Sequence, residues 1–117
     1  MINLSIIIPV FNESNYLMSL FSDLDKYFND KATEIVFIND GSTDNSKNLI
    51  SNYINSPRSK SKKKLINFSK NSGKGKAVRE GIKASLGKYI LLQDADLELD
   101  LKNSKELYNI IKNNDAI

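Results

Sequence analysis

Short apolar runs and helically periodic segments alternate along this chain. Leu4-Ser5-Ile6-Ile7-Ile8-Pro9-Val10 is rich in β-branched residues and reads as a strand buried on both faces. From Ser14 to about Asn29, Tyr16, Leu17, Leu20, Phe21, Leu24, Tyr27 and Phe28 recur at helical spacing in one stripe, which predicts a helix covering a sheet. Glu34-Ile35-Val36-Phe37-Ile38 repeats the buried-strand pattern. Asp40-Gly41-Ser42 closes it with turn residues and a helix cap, and the helix that follows runs to about Ile54. A third, weaker strand is expected over Lys64–Phe68. After Asn71-Ser72-Gly73-Lys74-Gly75, the residues Ala77, Val78, Gly81, Ile82 and Ser85 give a helix with a narrow small-residue face, ended by Gly87 as a C-terminal cap. Lys88–Gln93 is the fourth strand, and Asn103–Asn113 the last helix, with Leu107, Tyr108, Ile110 and Ile111 facing inward.

Such alternation implies right-handed crossovers, so the fold class is α/β: a Rossmann-like, mostly parallel sheet with helices on both faces. At 117 residues the chain suits one domain, small for an enzyme with two substrate sites. Asp115-Ala116-Ile117 looks like the opening of a further strand, so the chain reads as truncated or as a half-domain.

Composition changes this picture mainly by exclusion. There is no cysteine and no histidine, which rules out disulfides, thiolate or imidazole zinc sites, and nucleophiles that need a histidine base. Carboxylate oxygen remains for metal chemistry, and it suits Mg2+ or Mn2+. No apolar run approaches the roughly 20 residues of a membrane-spanning helix, and no signal segment is present. Lack of cysteine is compatible with the cytoplasm.

The net charge of +3 is local. Without Arg58, Lys60, Lys62, Lys63 and Lys64, twelve of the seventeen cations face fourteen anions. The Ser56–Lys64 stretch reads as a solvated surface loop. Its functional reading is peripheral contact with an anionic membrane face. A nucleic acid partner is not expected, because no aromatic platform accompanies the patch.

In a doubly wound sheet, ligands sit beyond the carboxyl ends of the strands. Asn12-Glu13, Asn39-Asp40-Gly41 and Asp94-Ala95-Asp96 each follow a predicted strand, so three acidic clusters should share one rim. If Gln93–Glu98 stays extended, Asp94, Asp96 and Glu98 project to one side and the first two converge on a cation. Such an ion could neutralise a departing diphosphate. Asp40 could accept the imide hydrogen of uracil or the paired N–H groups of guanine, or simply form an Asx turn before the next helix. Glu13 could hold ribose or base, or act as first-turn helix charge. Main-chain groups of Pro9, Phe11 and Ile38 would line the same pocket. Lys74 and Arg79 are candidates for phosphate or acceptor contact, against plain helix initiation at Gly73.

Together these residues resemble family 2 glycosyltransferases of the GT-A fold. Ile8-Pro9-Val10-Phe11-Asn12-Glu13 matches the family's first element, and Ile38-Asn39-Asp40-Gly41-Ser42-Thr43-Asp44 its second, with Asn39 where aspartate is usual. Asn71-Ser72-Gly73-Lys74-Gly75-Lys76-Ala77 and Asp94-Ala95-Asp96-Leu97-Glu98 are similar to the branch that makes dolichyl- or polyprenyl-phosphate sugars. The resemblance implies residues 1–117 as the nucleotide-sugar-binding part of a metal-assisted, inverting transferase. It implies a UDP- or GDP-sugar donor and a lipid-phosphate or glycan acceptor, at the cytoplasmic membrane face. Asp94 and Asp96 are then the candidate catalytic residues, Pro9, Phe11, Glu13, Ile38, Asp40, Lys74, Asp94, Ala95 and Asp96 the donor contacts, and Asp94, Asp96 and Glu98 the metal ligands.

Three other readings compete. A non-catalytic nucleotide-sugar-binding fragment or degenerate relative would not need the acidic set kept whole. A sugar nucleotidyltransferase would want a glycine-rich loop after the first strand, where this chain has Pro9-Val10-Phe11-Asn12-Glu13. A phosphoacceptor signalling domain would bind no nucleotide.

Overall fold

The structure, a computed structural model, describes residues 1–57, 59–96 and 100–114. Strand β1 (Leu4–Val10), helix α1 (Ser14–Tyr27), β2 (Thr33–Asp40), α2 (Ser46–Ile54), β3 (Lys62–Phe68), α3 (Lys74–Lys83), β4 (Tyr89–Leu92) and α4 (Leu101–Asn114) alternate as the periodicity predicts. The strands pair in parallel in the order β3-β2-β1-β4. Strand order therefore reverses between β1 and β4, and their carboxyl ends open a crevice there.

Alternate strand positions face opposite layers. Leu4, Ile6, Ile8 and Val10 of β1 meet Leu17, Leu20, Phe21 and Leu24 of α1, with Tyr53 of α2 and Tyr108 of α4 in the same core. Phe21 stacks on Tyr53 at a centroid distance of 4.1 Å, and Phe37 meets both rings edge-on. On the other face, Ile7, Val36 and Ile38 pack against Ala77 of α3. Among the described residues, no helix is long and apolar enough to cross a membrane.

Four local expectations are corrected. The lysine-rich stretch is only partly a loop, because Lys62, Lys63 and Lys64 belong to β3, the sheet's edge. Charged residues protect an edge strand from further pairing, and long lysine stems cover apolar surface; Lys63 Nζ lies 5.2 Å from the Tyr53 ring centre. Arg58 lies outside the described residues.

Gly87 is not the cap of α3. The helix ends at Lys83, and the Ala84 carbonyl accepts a 2.6 Å hydrogen bond from Lys64 Nζ, which takes one of the carbonyls every helix end leaves unpaired. Gly87 is needed for close approach instead: a Cβ there would stand 2.6 Å from Ser5 N and Oγ. Nor does the Asp40-Gly41-Ser42 turn cap the next helix, since α2 starts at Ser46 after Asn45.

The last helix buries Leu101 and Tyr108, whereas Leu107, Ile110 and Ile111 are about half exposed. The helical period and the inward placement of Tyr108 agree with expectation; Leu107, Ile110 and Ile111 do not. Beside β4, outermost among the described strands, α4 has core beneath only one narrow stripe.

Candidate functional site

The rim is built by hydrogen bonds between loops. Asn12 adopts left-handed backbone, φ 53°, which asparagine tolerates. Its side-chain oxygen accepts from Thr43 N at 2.8 Å and Asp44 N at 3.2 Å, and its own N–H donates to Ser42 Oγ at 3.0 Å. Glu13 N donates to Ser46 Oγ, and Ser14 N to Asp44 Oδ2, both at 3.1 Å. Asp44 also accepts from Ser46 N at 2.9 Å. Desolvation pushes the Asp44 carboxyl up, but the hydrogen bonds from Ser46 and Ser14 outweigh it and bring its pKa from 3.8 down to about 2. The β1–α1 and β2–α2 loops thus form one unit, and the polar residues of the first two motifs are largely spent on holding it.

Asp40 ends β2 almost fully buried. Its carboxylate accepts from Ser72 N at 2.7 Å, Gly73 N at 3.0 Å and Asn71 Nδ2 at 3.2 Å. Asp40 does not cap the next helix: it clamps the loop that opens α3 and lines the cavity beside it. The preceding Asn39 donates from Nδ2 to Asn67 Oδ1 at 3.0 Å.

Beyond β4, Gln93 is buried; its N–H donates to the Ile7 carbonyl at 3.0 Å and its Oε1 accepts from Ser104 Oγ at 3.4 Å. The chain then turns at Ala95-Asp96. The extended alternation expected for the two aspartates is therefore replaced by a turn, which still brings both to one place. Buried Ala95 anchors that turn in the larger core.

These loops surround a cavity of about 390 Å³. Pro9, Phe11 and Glu13 line it from β1, Asp40 and Lys74 from the middle, and Asp94, Ala95 and Asp96 from β4. Eight of the nine expected donor contacts are thus brought together. Ile38 is not: it lies two residues before the strand end, fully buried under α3. Arg79 is exposed on α3 and does not line the cavity. Val10, Asn71 and Gly73 do line it, and the asparagine-glycine loop motif was the available signal for the last two. Across the opening, Lys74 Nζ lies 2.7 Å from Asp94 Oδ1.

Among the described residues no group of three or more acidic, histidine or cysteine side chains could hold a metal ion. Glu98, the expected third ligand, lies outside the described residues. Asp94 and Asp96 remain, both lining the cavity, with the Lys74 ammonium on Asp94. Two hard oxygen donors suit Mg2+ or Mn2+ when a diphosphate completes the shell.

The family model for glycosyl transferase family 2 matches residues 5–117. The chain belongs to glycosyltransferase family 2. A dolichyl-phosphate beta-glucosyltransferase of Dictyostelium discoideum is 38% identical over 117 aligned positions, covering 94% of this chain and 36% of that protein. One from Saccharomyces cerevisiae is 36% identical over 98 positions, 80% of this chain and 29% of the relative. The chain therefore spans about a third of these family 2 relatives. Among solved structures, residues 1–349 of Staphylococcus aureus TarS superimpose with a TM-score of 0.80 at 26% identity, over 96% of this chain and 33% of that one. TarS complexed with UDP-GlcNAc gives the same TM-score at 27% identity, over 96% and 32%. The α/β family 2 fold expected from the sequence is the observed one, and the branch resemblance agrees with the relatives' names.

Proposed function

We propose that the cavity at the β1–β4 crevice is the donor site of a glycosyltransferase, and that residues 1–117 form its nucleotide-sugar-binding part. The convergence of Asp94 and Asp96 with Glu13, Asp40 and Lys74 around one cavity carries this reading. The donor is a UDP-sugar, in line with the UDP-GlcNAc complex of TarS. The acceptor is a polyprenyl or dolichyl phosphate, in line with the names of the relatives.

In this mechanism Pro9, Phe11 and Glu13 take the nucleoside, and the first turn of α3 with Lys74 faces the diphosphate, where helix N–H groups favour an anion. Asp94 and Asp96 would hold Mg2+ or Mn2+, which supplies charge neutralisation for the leaving nucleoside diphosphate. An acceptor phosphate attacks the anomeric carbon in line, with inversion. Being anionic at neutral pH, it needs no strong general base, and the cavity's carboxylates are left to bind and orient.

Calorimetry with UDP, with and without Mn2+, tests the site. The unaltered protein should bind UDP more tightly with Mn2+, and Asp96→Asn should weaken that metal-dependent binding at least tenfold, the order found when metal-site groups are lost. Absence of UDP binding by folded protein in both conditions overturns the proposal.

A further inference from the structure

We infer that Lys74 is an exchangeable counter-ion that couples cation and nucleotide binding. The inference rests on the donor-site reading and concerns the regulation of that site. The Lys74 ammonium approaches Asp94 Oδ1 to 2.7 Å, closely enough to claim the oxygen a divalent cation would use. The two cations therefore compete for one carboxylate. A metal ion that takes Asp94 must displace Lys74.

The placement of Lys74 is set by the fold. It is the first residue of α3, and the residues just before it are held by the Asp40 carboxylate through Ser72 N and Gly73 N. That clamp fixes the backbone while leaving the lysine stem able to move, for the side chain is 68% exposed. The displaced ammonium stays at the helix N-terminus, where backbone N–H groups already favour a phosphate. A nucleoside diphosphate that takes up Lys74 frees Asp94 for the cation, and a cation on Asp94 frees Lys74 for the diphosphate. Each ligand thereby strengthens the other by the same factor, as linkage requires. Either ligand alone must first break the pair.

Lys74→Met removes the competitor and Lys74→Arg retains it. Mn2+ binding without nucleotide, followed by the electron paramagnetic resonance of the free ion, should tighten about five- to tenfold in Lys74→Met, the scale of losing one exposed ion pair and one repelling neighbour. It should stay near the parent value in Lys74→Arg, and the gain should shrink in high salt. In calorimetry, UDP binding in the presence of Mn2+ should weaken in Lys74→Met, so that the mutual enhancement of the two ligands falls. Unchanged or weaker Mn2+ binding by Lys74→Met overturns the competition. A parent protein that binds Mn2+ competitively but never UDP overturns the donor-site reading and leaves the ion competition standing, so the two failures are distinguishable.

Discussion

Gly41→Ala should lower folding stability by about 3 to 5 kcal/mol, at the upper end of single-substitution effects. Gly41 has φ +71°, which alone strains an alanine by about 1–2 kcal/mol. The added Cβ would also stand 2.3 Å from Asn71 N and Lys70 C, both backbone atoms that cannot turn aside. The loop must move, and with it the N–H groups of Ser72 and Gly73 that hold Asp40. Loss of UDP binding should accompany loss of stability. Gly73→Ala separates the two effects: φ is +101°, but nothing lies within 4 Å of the new carbon. It should cost only the backbone strain of a region that glycine alone adopts readily, about 1–3 kcal/mol. Urea unfolding reads both as shifts in midpoint at constant slope. Equal costs for the two variants would refute the role of backbone overlap.

The second large effect lies at the opposite end of the sheet. Glu34 is fully buried, and its Oε2 accepts from Ser5 Oγ and from Leu86 N, each at 2.6 Å. Oε1 lies 3.0 Å from Lys64 Nζ, an ion-pair distance without hydrogen-bond alignment. Lys64 bridges onward to the Ala84 carbonyl, and Ser5 Oγ accepts from Gly87 N at 2.8 Å. One carboxylate thus fastens the α3–β4 turn to β1, β2 and β3. Glu34→Ala should destabilise by about 3 kcal/mol, because it leaves a buried hydroxyl and a part-buried N–H without their acceptor and takes the counter-charge from a half-buried ammonium.

The same group sets an acid limit. Burial pushes the Glu34 carboxyl up, but the hydrogen bonds from Ser5 and Leu86 and the Lys64 charge outweigh it and leave the pKa below its ordinary 4.5. A depressed folded-state pKa means that the stabilisation is full above the unfolded value and is lost as pH falls through the folded one. Stability should therefore hold above about pH 4.5 and drop below it. Asp44 adds to the decline between its ordinary 3.8 and about 2, loosening the rim loops. Urea midpoints of Glu34→Ala should fall less steeply over the first of these windows. Parallel profiles for parent and variant would show that Glu34 contributes no such term.

How much of this was visible beforehand depends on the range of the interaction. Alternation of strand and helix, both-face burial of β1 and β2, and the small face of α3 are local patterns, and each was found where expected. The three acidic clusters met on one rim because a parallel sheet sends every strand's carboxyl end the same way. How narrow the buried stripe of α4 would be was not legible: Tyr108 is inside as expected, but Leu107, Ile110 and Ile111 are not. That depends on β4 lying outermost among the described strands, and strand order is not written in any one strand.

The candidate site divides along the same line. By itself the sequence determined which chemistries were open, through its lack of cysteine and histidine, and which loops would carry carboxylates and a lysine. Only the tertiary structure decided what those groups do to one another. Asp40 faces Ser72 and Gly73, more than thirty positions away, so its part as a loop clamp appears only when β2 and β3 are paired. Lys74 and Asp94 are twenty positions apart and meet because α3 begins and β4 ends on one crevice. Residue type sets what a side chain can bond, and the packing of distant segments sets which of those bonds is made.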